Sequence, residues 1–261
     1  MLALKLALVA FSVLLSTLAA RRFGHRVGGA VAGMPMIAAP VIAILLLDHD
    51  AGQVRAVALA TLVCLPAAVV HIVSFALSAG RWGAAACVSL ALLAYLAAAF
   101  VLTQLPLPPA LVGALALAAP ATGLWFAARH AQPGAPVAVP RTELVLRVAV
   151  AVAMAAGVIA GADVLPPAVS GLLLAVPITG TVLPCFTLPR HGAAATRSLI
   201  AGFLQGLHGF AAFFITLYWA LGTFSALAAF LIALAAAVAT AASVQVLRWW
   251  WMRRPPAADT T

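Results

Sequence analysis

Two histidines lie inside apolar stretches of the sequence, where an ionisable side chain is costly and is therefore a first candidate for chemistry. His208 lies near the centre of the stretch 196–221, and Gln205 precedes it by three residues, a spacing that puts both on one helix face. His71 lies in an earlier stretch, 54–79. A neutral imidazole there can hydrogen-bond a substrate or relay a proton. The simpler alternative is a hydrogen bond between helices, worth about 0.6–2 kcal/mol in lipid.

Prolines and glycines interrupt two apolar stretches of similar design. The stretch 27–47 contains Pro35, and the stretch 167–188 contains Pro177 at the matching place, 142 positions later. Proline removes a backbone donor and frees a carbonyl group, which can line a polar cavity in a transporter or simply kink a helix in a structural protein. Threonines follow the second proline. The predicted substrate-binding residues are His208, Gln205, His71, Thr179, Thr181, Pro35 and Pro177.

Other short patterns favour packing or loops over chemistry. Gly29 and Gly33 form a GxxxG motif, which is typical of close helix packing. Asp48, His49 and Asp50 are adjacent, and three neighbouring loop residues do not easily face one ion, so a solvated turn is the better interpretation. No HExxH, GxSxG or GxxxxGK[ST] motif occurs, and no CxxC pair. We therefore predict no enzyme activity, no catalytic residue, no metal and no cofactor.

The composition identifies a polytopic membrane protein. Hydrophobic residues make up 66% of the 261 residues and charged residues only 7%, with a mean hydropathy of +1.18. A soluble surface needs far more charge. The net charge of +9 comes from basic residues scattered between apolar runs, so we predict no nucleic-acid binding.

Nine stretches are long enough to cross a bilayer as helices, because a core ~30 Å thick needs about 20 residues at ~1.5 Å each. Counting Lys and Arg in the loops predicts an outside N-terminus and an inside C-terminus, by twelve basic residues against two. The predicted location is the cell inner (plasma) membrane. The spans are 2–20, 27–47, 54–79, 82–103, 108–128, 142–162, 167–188, 196–221 and 224–247.

The two halves of the chain show a repeat with an offset of 142 residues. Five helices precede the second copy, an odd number, so that copy enters the membrane from the opposite side. We predict a first repeat over 1–130, a second, inverted repeat of four helices over 141–250, and a short cytoplasmic tail over 251–261. Inverted repeats build many secondary transporters, although duplication from a dual-topology ancestor without transport is an alternative. The matching pairs include Gly29/Gly171, Pro35/Pro177, His49/His191, Arg55/Arg197 and Gly80/Gly222.

One segment resembles a known family. The run SGLLLAVPITG, followed by PRHGAAATR and HGFAAFFITLYW, resembles the GlpM-type family of small bacterial inner-membrane proteins, whose function is unassigned. Ser170, Gly171, Pro177 and Arg197 match its pattern, over about 142–222 and more weakly over 2–80. Members are about half as long, so this chain resembles two fused, inverted copies. The resemblance implies a fold and no chemistry.

We interpret the protein as a small transporter, permease or flippase for a neutral, weakly polar or amphipathic substrate. The alternative is a non-transporting accessory or assembly subunit of a cell-envelope system. Expected partners are the lipid bilayer, an unknown small-molecule or lipid-linked substrate, and a second copy of the chain or an envelope protein. A transporter should have a water-accessible cavity at the broken helices, whereas an accessory subunit should have a tightly packed centre.

Overall fold

The computed structural model describes residues 2–128, 140–164 and 177–252, and the regular structure of these residues is helical throughout. Ser170 and Gly171, the start of the predicted span 167–188 and residues 253–261 of the predicted tail lie outside this part. The helices are α1 Leu2–Phe23, α2 His25–Gly33, α3 Ala38–Asp48, α4 Ala51–Ser78, α5 Ala84–Gln104, α6 Pro109–Ala128, α7 Arg141–Val164, α8 Ile178–Ala220 and α9 Ala226–Met252.

Within the described residues, seven helical stretches are long and apolar enough to cross a membrane. The prediction of an all-α polytopic membrane protein is confirmed. Seven is fewer than the nine predicted spans, because α8 runs through two of them and because α7 is not among the seven. The nine-span count is thus not established by these helices. The stretches are Leu6–Phe23, His25–Leu47, Ala51–Ser78, Ala84–Gln104, Pro109–Ala127, Ile178–Ala220 and Ala226–Leu247.

The two predicted helix breaks have different forms. The first is a turn between α2 and α3 over residues 34–37, which contains Pro35. At the second, Pro177 stands directly before the first residue of α8. A proline is well tolerated at a helix start, because the backbone N–H that it lacks has no partner there.

Helix α8 changes direction at Gly192, where φ is 75° and ψ is 179°. This backbone conformation is essentially restricted to glycine. It separates a first arm, residues 178–191, from a second arm, residues 193–220. The first arm packs back on the second, with Gly180 beside Phe203, so the chain reverses direction at Gly192, between the predicted spans 167–188 and 196–221.

Helix limits recur along the chain. Helix α4 begins at Ala51 and ends at Ser78, and adding 142 to both numbers gives 193 and 220, the limits of the second arm of α8. Adding 142 to the first residue of α5, Ala84, gives Ala226, the first residue of α9. Helix α4 packs against α5, and α8 packs against α9, so each half of the repeat contains a helical hairpin.

Helix α8 lies at the centre of the fold and contacts α2, α4, α6, α7 and α9. Helix α2 packs on it through glycines on both sides. A Cβ atom on Gly206 would lie 2.9 Å from the Cα of Gly33, and one on Gly29 would collide with the carbonyl oxygen of Leu199. Small residues let helix backbones approach this closely. The predicted packing role of the GxxxG motif is confirmed, and Gly202 and Gly206 form its partner on α8.

Candidate functional site

His71 and Thr181, two of the predicted residues, meet between α4 and the first arm of α8. The Thr181 Oγ1 lies 3.0 Å from the Nε2 of His71 and also donates to the carbonyl oxygen of Pro177 at 2.9 Å. A hydroxyl group has one hydrogen, so while it donates to Pro177 it accepts from the Nε2–H of a neutral His71. The imidazole is fully buried and meets the ring of Tyr95 edge-on, with centroids 6.3 Å apart.

Gln205 and His208 share a helix face but bind different partners. The Oε1 of Gln205 accepts from the Nε of Arg26 on α2 at 3.4 Å. The Nδ1 of His208 lies 2.9 Å from the carbonyl oxygen of Leu204, one turn earlier in its own helix. Neither contact reaches the pair formed by His71 and Thr181. Five of the seven predicted residues therefore divide between three separate contacts, and Thr179 and Pro35 take part in none of the three.

The region around the second break is packed. A small gap beside Thr179 is lined by Ile72, Pro184 and Phe203 and has no room for a water molecule. The structure has no water-accessible cavity there among the residues that it describes. A groove of about 520 Å³ lies elsewhere, where Arg81, Arg197 and their neighbours line the ends of α4 and α6.

A cluster of charged residues outside the predicted site joins α7 to the first arm of α8. The Oε1 of Glu143 accepts from the Nε and Nη2 of Arg147 at 2.9 and 2.5 Å. Its Oε2 lies 3.1 Å from the Nη1 of Arg190, within ion-pair distance but without a hydrogen bond. Glu143 and Arg147 are each 1% exposed, whereas Arg190 is 48% exposed. Arg147 also donates to the Oγ1 of Thr187 at 3.4 Å.

Two histidines complete this cluster. The rings of His25, the first residue of α2, and His191, the last residue of the first arm of α8, have centroids 4.9 Å apart. His25 is 5% exposed. Neither ring nitrogen of His25 has a hydrogen-bond partner in the described part of the chain, and the Nε2 of His191 has none there either. We call Glu143, Arg147, Arg190, His25 and His191 the α7–α8 cluster.

The sequence carried one signal for this cluster. Glu143 and Arg147 are four residues apart, which places opposite charges side by side on a helix. Arg147 and Arg190 are among the twelve basic residues counted on the inner side to predict orientation, and no pattern in the sequence assigned Glu143 or His25 to a site. A basic residue near a helix end fits the orientation rule equally well when it is buried in an ion pair, so the pattern alone does not separate the two cases.

A second pair of arginines makes corresponding contacts at the two ends of the α4–α8 pair. The Nε of Arg197 donates to the carbonyl oxygen of Ala76 at 3.1 Å, and its guanidinium faces Gly80. Arg55 lies over the ring of Tyr218, 4.7 Å from its centroid, and its guanidinium faces Gly222. In both cases the start of one helix meets the end of the other, so α4 and the second arm of α8 are antiparallel.

Comparison of the chain with protein-family models, with curated proteins and with solved structures finds no match. The resemblance to the GlpM-type family therefore stays a prediction. The apolar helices are those of a multi-pass integral membrane protein.

Proposed function

We propose that this protein is a small membrane transporter built from two inverted repeats. The observation that carries the proposal is the reciprocity of the arginine contacts. Adding 142 to Arg55, Ala76 and Gly80 gives Arg197, Tyr218 and Gly222. Arg197 donates to the carbonyl oxygen of Ala76 and lies beside Gly80, while Arg55 lies over the ring of Tyr218 and beside Gly222. Such an exchange of contacts is the signature of a two-fold relation, and inverted repeats related in this way are a common transporter architecture.

The proposal includes nine spans, an outside N-terminus, an inside C-terminus and a location in the inner membrane. The length of α8 favours two spans over one, because 43 residues at ~1.5 Å each reach roughly twice the ~30 Å bilayer core. The kink at Gly192 supplies the point where the chain turns back. Equivalent positions of the two repeats would then face opposite sides of the membrane.

In this proposal the packed centre is a closed state of the transporter. His71 and Thr181 belong to α4 and to the first arm of α8, the elements that rocking of one repeat against the other would separate. The expectation of a neutral, weakly polar or amphipathic substrate relied on a scarcity of buried charge. The burial of Glu143 and Arg147 removes that premise.

The second candidate is a non-transporting accessory or assembly subunit of an envelope system, with a homo-oligomer or an envelope protein as partner. The packing around Thr179 favours it, because the gap beside Thr179 has no room for a water molecule and both Thr181 and His208 are bonded within the protein. Such a subunit would keep its centre closed under all conditions, which separates the two candidates.

Accessibility of the centre tests the transporter. In a variant with Cys64, Cys87 and Cys185 replaced by Ala, Thr179→Cys should react with a small water-soluble maleimide in membranes, because a transporter must open its centre to water. The matched control is Ala91→Cys, which is also buried but lies in the α4–α5 hairpin. If neither position is labelled, the transporter proposal is refuted and the accessory subunit remains.

Sidedness of labelling tests the inverted repeat independently. His49 and Pro189 are both exposed and lie at the ends of corresponding segments, α3 and the first arm of α8. In the same cysteine-free background, an impermeant maleimide added to intact cells should label His49→Cys alone, and addition to inverted vesicles should label Pro189→Cys alone. Labelling of both positions from the same side would refute the inversion.

A further inference from the structure

The charges of the α7–α8 cluster do not balance. Two guanidinium groups, on Arg147 and Arg190, share the single carboxylate of Glu143, which is their only acidic contact within the described ranges. Arginine remains charged at any physiological pH. With neutral imidazoles the cluster therefore carries one excess positive charge. Since Arg147 is bonded to Glu143 and Thr187 and is buried, the half-exposed Arg190 is the group that can face a ligand.

The two histidines leave hydrogen-bonding capacity unused beside this charge. A buried polar atom without a partner is costly, and such an atom in a native fold calls for a bound water, ion or ligand. His25 is 5% exposed with both ring nitrogens unpaired among the described residues, and its ring lies against that of His191. His191 in turn lies within electrostatic reach of Glu143, Arg147 and Arg190. The unpaired nitrogens and the excess charge thus occupy the same junction.

The donors at this junction suit an anion better than a cation. A guanidinium is a planar fork that matches a carboxylate or a phosphate, and imidazole N–H groups add single donors. The N-terminal end of α2, where His25 lies, contributes partial positive charge. A metal ion would meet two guanidinium groups, and within the described residues no three His, Cys, Asp or Glu side chains are grouped to hold one.

We propose that Arg190, His191 and His25 form a binding site for one oxyanion group, a carboxylate or a phosphate, where α2, α7 and the kink of α8 meet. The site deepens the proposed function, because it makes the transported substrate an anion. It rests on that function only for the identification of the bound anion as the substrate, since binding does not require transport.

Calorimetric titration of the purified full chain in a neutral, phosphorus-free detergent tests the site. Inorganic phosphate and acetate are titrated separately at constant ionic strength. We expect saturable binding of at least one anion, weakened about tenfold to a hundredfold by Arg190→Gln, since a hydrogen bond to a charged group is lost. His191→Ala should also weaken binding. Neither residue is needed to bury the bond between Glu143 and Arg147, so both variants should fold, which gel filtration verifies.

The controls are matched by position. Arg141 is an exposed arginine at the start of α7, and His49 is the exposed counterpart of His191 in the first repeat. Arg141→Gln and His49→Ala should bind as the unmodified chain does. Absence of saturable binding, or an equal loss with Arg141→Gln, would overturn the site, because a general basic surface would then explain any effect.

Two further measurements distinguish a lipid headgroup from a free anion as the ligand, and distinguish failure of the oxyanion site from failure of the transporter proposal. Mixed micelles containing phosphatidylglycerol displace the bound anion if the natural ligand is a lipid headgroup, and leave it bound if the ligand is a free anion. If the chain binds an anion but its Thr179→Cys variant is never labelled, the oxyanion site is supported and the transporter proposal is refuted. If that variant is labelled but the chain binds neither phosphate, acetate nor lipid, only the oxyanion site is refuted.

Discussion

Replacement of Glu143 by Gln should be among the most destabilising single changes in this protein. The carboxylate is 1% exposed and accepts two hydrogen bonds from Arg147, which is equally buried. Removal of one partner of a buried ion pair leaves an uncompensated charge and costs about 3–5 kcal/mol. Since 1 kcal/mol shifts the Tm of a chain of this size by about 2–4 °C, we expect Glu143→Gln to lower the Tm by about 6–20 °C.

Two further variants make this prediction specific. Arg190→Gln removes the half-exposed partner of Glu143, whose charge is screened by water, and should cost at most about 1 kcal/mol. The double variant Glu143→Gln/Arg147→Met removes both buried charges together and should recover most of the loss, because apolar replacement of a whole pair is often neutral. The measurement is the fraction of full chain that remains monodisperse in gel filtration after heating in detergent. A Tm for Glu143→Gln no lower than that for Arg190→Gln would show that the pair is not buried in the folded protein.

Three more changes test the packing and the backbone. A methyl group on Gly202 would collide with the backbone of α2, so Gly202→Ala should cost about 1–3 kcal/mol. Gly113→Ala, whose Cβ makes only ordinary contacts, should leave the Tm unchanged or raise it, and equal Tm values would contradict the close packing. Gly192→Ala forces a side chain into a backbone region that only glycine adopts and should cost about 1–3 kcal/mol. Gly83→Ala, in open space with an ordinary φ, should cost less in the same heating assay, because it loses only the preference of an N-cap position for glycine over alanine. An unchanged Tm for Gly192→Ala would refute the kink. Thr181→Val removes the hydroxyl that bonds the buried imidazole on α4 and should cost about 0.6–2 kcal/mol, measured by the same method; no loss would mean that this hydrogen bond does not form.

The sequence by itself determined the class of protein and most helix positions. A long apolar run must become a helix in lipid, because only internal hydrogen bonds can satisfy its backbone. The predicted spans 54–79 and 82–103 accordingly lie within a few residues of α4 and α5. The first helix break could also be predicted from local sequence, because Pro35 lacks the backbone N–H that a helix interior requires. The GxxxG motif predicted close packing for the same reason, since it depends only on side-chain size.

Only the tertiary structure decided which polar groups meet. His71 reaches a threonine 110 positions later, and Arg26 reaches a glutamine 179 positions later. No periodicity links residues so far apart, because their meeting depends on how the helices between them pack. The orientation rule also gave the same expectation for exposed and buried arginines, so Arg147 was assigned to a membrane surface. Its burial against Glu143 follows from the packing of α7 on α8, which brings the two charges and the apolar walls around them together.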